Sequence, residues 1–312
     1  MSNFAWMRIL QVKLSNDKGA CVTYEDNGSG DGLEISIEGE KYLSAIKDAC
    51  TITISNLTYS DIIRLIEGKY YNVEVKCGYR SLGTFAIFKG GVLYISNELN
   101  TDRSNDVIIV CASQFIAKAG QTRINLSPVS GVNYYSLIEY LNKKGNLGIT
   151  MNVSESLKNE TLTASISENI TLPNWLEMLL SQKPEYGINV DATDGYSVSI
   201  FNAVKDRRRT INISNSVIDL NGGFPRLTTS GVTFTVTPTR NYHCGDIIKL
   251  DNSLINMSVS SQNDAYKLFG HYLDQNGEYM IYQIEFQLAN RANAFKIKIY
   301  AKSLNLLTQI MS

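Results

Sequence analysis

Lys69-Tyr-Tyr-Asn-Val-Glu-Val-Lys-Cys-Gly-Tyr79, then Thr84-Phe-Ala-Ile-Phe-Lys-Gly90, Gly91-Val-Leu-Tyr-Ile95 and Asp106-Val-Ile-Ile-Val-Cys111, are the runs that set the fold class. In the first, Tyr71, Val73, Val75 and Cys77 alternate with Asn72, Glu74 and Lys76. A period of two sends successive side chains to opposite faces of a strand, here one dry and one wet. Val107 to Cys111 is apolar at every position, the pattern of a strand covered on both faces. Gly78, Gly83, Gly90 and Gly91 lie between the runs and supply the turns and bulges of a closed or strongly curved sheet. The stretch predicts a β-barrel and contains no catalytic loop.

Composition agrees. The chain has 312 residues, 44% hydrophobic and 19% charged, which is enough for a core and long enough to favour two or three domains over one. A net charge of -1 argues against a protein built to neutralise phosphates. Eighteen tyrosines against five prolines suit many half-buried strands and broad contact surfaces. Cys21, Cys50, Cys77, Cys111 and Cys244 are odd in number and lack paired spacing, as expected of small buried thiols in a reducing compartment. Met1 to Leu14 has no signal-peptide pattern, and no window has the apolar length of a membrane span. Without a secretion route, sequons such as Asn56-Leu-Thr58 and Asn169-Ile-Thr171 are chance features.

Upstream of the deciding stretch, Met7–Leu14, Leu33–Glu38 and Cys50–Leu57 read as strands. Ser60–Glu67 reads as a short helix capped by Ser60, with Ile62, Leu65 and Ile66 on its inner face. Asp26-Asn-Gly-Ser-Gly-Asp-Gly32 has the composition of a calcium loop. However, Gly28 and Gly30 occupy ligand positions and the twelfth residue is Ile37, so it reads as a hairpin tip.

Downstream, Gln121–Gly131 with Pro128 reads as a linker. The period then becomes helical. Tyr134, Leu137, Ile138 and Leu141 form one stripe ended by Lys143-Lys-Gly145, and Thr171–Ser181 forms another with Pro173 in its first turn and Trp175, Leu176, Leu179 and Leu180 inward. Short strands at Gly148–Val153, Gly187–Val190 and Tyr196–Phe201 surround them. Arg207-Arg-Arg209 reads as an exposed linker, because three cations on one loop give little nucleic-acid binding energy. Strands resume at Gly231–Thr237 and Gly245–Leu250. A long hairpin closes the chain, with Tyr282, Ile284, Phe286 and Leu288 facing the side of Phe295, Ile297 and Ile299 across Asn290-Arg-Ala-Asn293. The expected fold is mainly β with an α+β insert: a barrel over 1–130, a small α+β domain over 131–206 and a barrel over 207–312.

Chemistry is hard to place on this chain. A Cys244–His271 nucleophile pair lacks a marked orienting partner, and His243, Cys244 and His271 lack a fourth zinc ligand. No Gly-x-x-x-x-Gly-Lys loop or Gly-x-Ser-x-Gly elbow occurs, and no carboxylate pair stands out among thirty acidic residues. No catalytic, cofactor-binding or metal-binding residue is assigned, and the chain reads as a non-enzyme.

Ile52-Thr-Ile-Ser-Asn-Leu57, Val73-Glu-Val-Lys-Cys-Gly-Tyr79, Ile87-Phe-Lys-Gly90 and the strand ending at Cys111 together resemble the first tube domain of baseplate hub proteins from contractile-tailed bacteriophages. Gly223-Phe-Pro225, Ser230-Gly-Val232, Cys244-Gly-Asp246 and Gly277-Glu-Tyr-Met-Ile-Tyr282 follow in the family's order, so the resemblance covers nearly the whole chain. It marks Asn56, Leu57, Gly78, Tyr79, Phe88, Gly90, Gly231 and Gly245 as structural motif residues. Members often carry Pro-Gly where this chain has Cys244-Gly245, and their His-Asp pair in the final hairpin is absent.

The resemblance implies two tube-type barrels per chain and a homotrimer whose six barrels match a sixfold tail tube on one side and a threefold central spike on the other. The implied partners are the tube or tube-initiator protein, the spike and other baseplate (wedge) proteins. DNA would pass through the channel without specific binding, and no cofactor or membrane span is implied. The implied location is the virion baseplate, after assembly in the host cytoplasm. The alternatives are a hexameric distal tail or tube-terminating protein, and the hub of a tailocin or type VI-like injection system.

Overall fold

The computed structural model describes residues 7–26, 32–44, 48–99, 105–183, 185–190, 197–203, 205–206, 208–219, 222–228, 231–256 and 273–304. Alternation dictates the first strands. β1 (Arg8–Ser15) buries Leu10, Val12 and Leu14, and β2 (Cys21–Asp26) returns beside it. β3 (Glu34–Tyr42) buries Ile35 and Ile37, and β4 (Ala49–Ser55) buries Cys50, Ile52 and Ile54. β2 escaped the sequence reading because its mixed polarity gives little periodic signal.

Helix α1 (Tyr59–Glu67) starts one turn-residue earlier than expected. The Thr58 hydroxyl accepts the Asp61 N–H at 3.2 Å, so Thr58 and not Ser60 is the cap. Ile62 and Leu65 are buried, whereas Ile66 lies on the flank of a narrow stripe and is exposed.

β5 (Asn72–Tyr79) alternates with Val73, Val75 and Cys77 inward, whereas Tyr71, read in the same dry row, precedes the strand and is exposed. β6 (Gly83–Leu99) corrects the reading of two strands divided at Gly90-Gly91: it is one strand of 17 residues. The glycines keep it thin. A Cβ on Gly90 would overlap the Ala112 carbonyl, and one on Gly91 would strike the Ala117 methyl. β7 (Asn105–Ser113) buries Val107, Ile109 and Cys111 on one face, while Ile108 and Val110 on the other are half-buried among the described residues.

After α2 (Gln114–Ala119), the expected linker contains a strand, β8 (Ile124–Leu126), whose Ile124 and Leu126 enter a second core. α3 (Tyr134–Lys144) is capped by the Asn133 carboxamide and ends at Gly145. β9 (Thr150–Val153), α4 (Glu155–Lys158) and β10 (Glu168–Ile170) follow. α5 (Leu172–Gln182) begins at Thr171 with Pro173 in its first turn. β11 (Tyr186–Val190) and β12 (Ser197–Asn202) complete a three-stranded sheet ordered β11-β12-β9, while β8 pairs with β10. Tyr134, Ile138, Trp175, Leu176 and Ile188 pack in this second core.

The last segment adds β13 (Thr210–Asn212), β14 (Arg226–Thr228), β15 (Gly231–Val236), β16 (Ile247–Lys249), β17 (Glu278–Ala289) and β18 (Phe295–Ser303). A bulge between Ile281 and Gln283 takes Tyr282 out of the buried row of Ile284, Phe286 and Leu288. Tyr282 packs instead beside Tyr300, ring centroids 6.2 Å apart.

The main ladder runs β14-β15-β18-β17-β3-β4-β7-β6-β5-β1-β2, with β16 on β17 and β13 on β16. β3 and β17 pair antiparallel from Gln283↔Tyr42 to Ala289↔Ser36, joining the first and last segments of the chain. Their inward side chains form one contiguous cluster from Leu10 to Ala301. Among the described residues the ladder ends at β14 and β2 without closing on itself. The architecture is mainly β with few helices.

Candidate functional site

The eight motif residues fall at separate structural positions. Asn56 takes a left-handed conformation (φ 60°) as β4 ends, and its N–H donates to the Asn105 carbonyl at 2.8 Å. Leu57 is buried, its carbonyl accepting from Asn105 Nδ2 at 3.2 Å. Gly78 and Gly231 play matching roles in β5 and β15. A Cβ at either would overlap the carbonyl of the facing strand, Gly83 in one case and Ala301 in the other. Tyr79 is buried and meets Phe295 edge-on at 5.2 Å, linking β5 to β18 by side chains. The ring of Phe88 fills the space that Gly90 leaves empty.

Gly245 sits apart, in the His243–Asp246 turn. Its φ is +92°, and the Phe201 ring and Arg208 guanidinium occupy the place of a side chain. Asp246 holds the turn by accepting the His243 N–H at 2.9 Å and pairing with Arg209. The Arg208 guanidinium lies 3.7 Å over Phe201 and donates to the Gly245 carbonyl at 3.3 Å. Of the three-arginine run, Arg207 lies outside the described residues; Arg208 and Arg209 pin a turn rather than forming a free linker.

Cys244 is buried, and its thiol donates to the Lys41 carbonyl at 3.5 Å. Burial pushes that thiol far above its ordinary range, the reverse of what a nucleophile requires. His271 and most of the 26–32 loop lie outside the described residues. Among the described residues no three His, Cys, Asp or Glu side chains stand together as a metal site, and no helix is long and apolar enough to cross a membrane.

What the chain does present is an open strand edge. β5 stops pairing with β6 at Asn72↔Gly91, and Val92 donates to the Tyr71 carbonyl at 2.8 Å. From Leu93 to Leu99, β6 pairs only with β7 among the described residues. Leu93, Tyr94 and Leu99 on that edge are 52%, 57% and 74% exposed, and Tyr71 is exposed beside its start. The segment contains neither Lys nor Pro, the residues that commonly blunt free edges.

A second feature missed by the sequence reading is the buried pair Lys41 and Asp48, 7% and 6% exposed. Lys41 continues the inward row of Ile35, Ile37 and Gly39. A charge in that row was the available signal, but the predicted strand stopped at Glu38. Burial lifts the Asp48 carboxyl to about 6, against the opposing pull of the Tyr42 N–H and the Lys41 ammonium. Burial also lowers the affinity of Lys41 for its proton.

This mainly-β fold is that of phage tail proteins. The 43 kDa tail protein of prophage MuSo2 from Shewanella oneidensis shares it with a TM-score of 0.56 at 9% identity, over 95% of this chain and 98% of that one. The tail protein of Neisseria meningitidis MC58 matches with a TM-score of 0.56 at 8% identity, over 97% and 98%. The E. coli c3393 protein, described as a type VI secretion component similar to T4 tail proteins gp27 and gp5, matches with a TM-score of 0.52 at 10% identity, over 87% and 74%. No curated protein matches in sequence. The chain belongs to the Baseplate hub gp41 family, whose family model matches residues 9–301. It is a structural component of the phage tail baseplate.

Proposed function

We propose that the chain is the trimeric hub of the baseplate, joining a sixfold tail tube to a threefold central spike and lining part of the ejection channel. In this reading 1–130 and 207–312 are tube-like units flanking the 131–206 insert, and three chains present six such units. The observation that carries it is the β3–β17 ladder, which makes strands from both ends of the chain neighbours in one sheet while the insert keeps its own core. The edge of β6, open among the described residues, supports it as well, since such an edge with exposed apolar side chains is suited to strand addition by another chain.

The partners are then a tube or tube-initiator protein, the spike and wedge proteins. The assembly forms in the host cytoplasm and ends in the virion. A chain with a net charge of -1 lets DNA pass without holding it. The likeness to a type VI component favours a hub of a related injection machine as the second reading.

Particle averaging of the purified chain with no imposed symmetry tests the proposal. Threefold particles support it. A sixfold ring identifies a distal tail protein instead, and a lone compact monomer removes the basis for a hub.

A further inference from the structure

β9 is the edge of the three-stranded sheet, which runs β11-β12-β9. It pairs in parallel with β12 from Thr150↔Ser197 to Val153↔Ile200, and the Ser154 N–H donates to the Ile200 carbonyl at 2.8 Å. In a parallel pair only alternate residues of a strand bond the neighbour. This register turns the N–H and C=O of Met151 and Val153 outward, and among the described residues no strand meets them. Thr150-Met-Asn-Val153 contains neither a charge nor a proline to blunt the edge.

A groove of about 350 Å³ follows this edge, lined by Met151 to Ser154 in unbroken succession together with Ser199, Phe201 and Arg208. Successive strand residues point to opposite faces, so a hollow that touches all of them lies beside the strand, where an added one would run.

The end of the groove has the chemistry of a carboxylate receptor. The Arg208 guanidinium lies over the Phe201 ring and spends its Nε on the Gly245 carbonyl. Its two Nη atoms make no hydrogen bond or ion pair among the described residues, and they form the fork that matches a carboxylate. Asn152 and Ser199 are register partners on the same face, and their side chains are likewise unbonded among the described residues. The other charges on the groove are engaged: Lys158 pairs with Glu155 at 2.7 Å, and Asp206 accepts the Asn202 N–H at 2.8 Å. Lys205-Asp-Arg-Arg-Arg209 sets four cations against one carboxylate around Arg208, a field that draws in acidic segments.

We propose that this groove takes an extended acidic segment of a partner protein, whose backbone adds to the Met151 and Val153 edge while one of its carboxylates closes on Arg208. The backbone supplies register-bound affinity, and the guanidinium selects the acidic side chain.

Amide exchange in the full chain tests the proposal, with a blocked peptide of alternating valine and glutamate as the probe and its valine–glutamine counterpart as the control. The acidic peptide is expected to slow exchange at the Met151 and Val153 amides at least roughly tenfold, and to bind at least roughly tenfold tighter than the control. Arg208→Gln is expected to remove that preference. Ser199→Asp breaks no bond of the chain and sets a competing carboxylate in the same groove, so it is expected to remove the preference even if Arg208→Gln fails to fold. Equal binding of the two peptides, protection that spares Met151 and Val153, or an undiminished preference in Ser199→Asp overturns the proposal. None of these outcomes depends on how many chains assemble, so the hub reading stands or falls separately.

Discussion

Gly245 has little freedom to change. Its φ of +92° disfavours any side chain, and the Phe201 ring already fills the space. Gly245→Ala is expected to cost about 1–3 kcal/mol in urea unfolding, whereas Ala at exposed Gly19, which meets nothing within 4 Å, is limited to the cost of its positive φ. The buried pair makes the opposite prediction. Asp48 at about 6, against an ordinary value of 3.8, is destabilising by about 3 kcal/mol at pH 7. Because its folded-state affinity is raised, its contribution to stability is fully present below the unfolded value and is lost as pH rises through about 6. The double variant Lys41→Met/Asp48→Asn is therefore expected to match or exceed wild-type stability at pH 7 in urea. The turn at Gly245 was legible in the sequence as Cys244-Gly-Asp246. The buried pair was not, because the predicted strand stopped at Glu38, short of Lys41, and Asp48 shares no periodicity with that row.

At the level of elements, periodicity served best where one face is dry and the other wet. The alternation of Val73, Val75 and Cys77 and the helical stripe of Tyr134, Leu137, Ile138 and Leu141 both reappear as buried faces. Gly90-Gly91 misled, because a double glycine is a turn signal locally, and only the approach of Ala112 and Ala117 across the fold explains it as continuous strand. The half-buried face of β7 misled in a related way. Ile108 and Val110 are apolar like the residues beside them, and sequence cannot say whether this chain or another covers them.

Two variants test elements directly. Thr58→Ala is expected to cost about 1 kcal/mol in thermal or urea unfolding and Ser60→Ala much less, since only Thr58 caps α1. The register of β4, β7 and β6, anchored by the Asn56–Asn105 and Ser113–Asp48 bonds, directs the Asn97 N–H away from β7. Asn97→Pro should then leave the monomer's circular dichroism intact while abolishing self-association in sedimentation. Unchanged association would remove the β6 edge from the interface.

For the whole molecule, the mainly-β plan with a helical insert was readable from the order of its periodic segments, and the family from the order of its short motifs. The joining of the two ends through β3 and β17 was not, since strand partners so distant in sequence leave no local trace. In the proposed hub, that joining lets a single chain offer two sheet units to a tube. The most direct measurement is a symmetry-free reconstruction of the baseplate in intact virions, with copies of this chain counted at the junction of tube and spike. The account predicts three copies, each turning two sheet units toward the tube. Six copies there, each offering one unit, would contradict it.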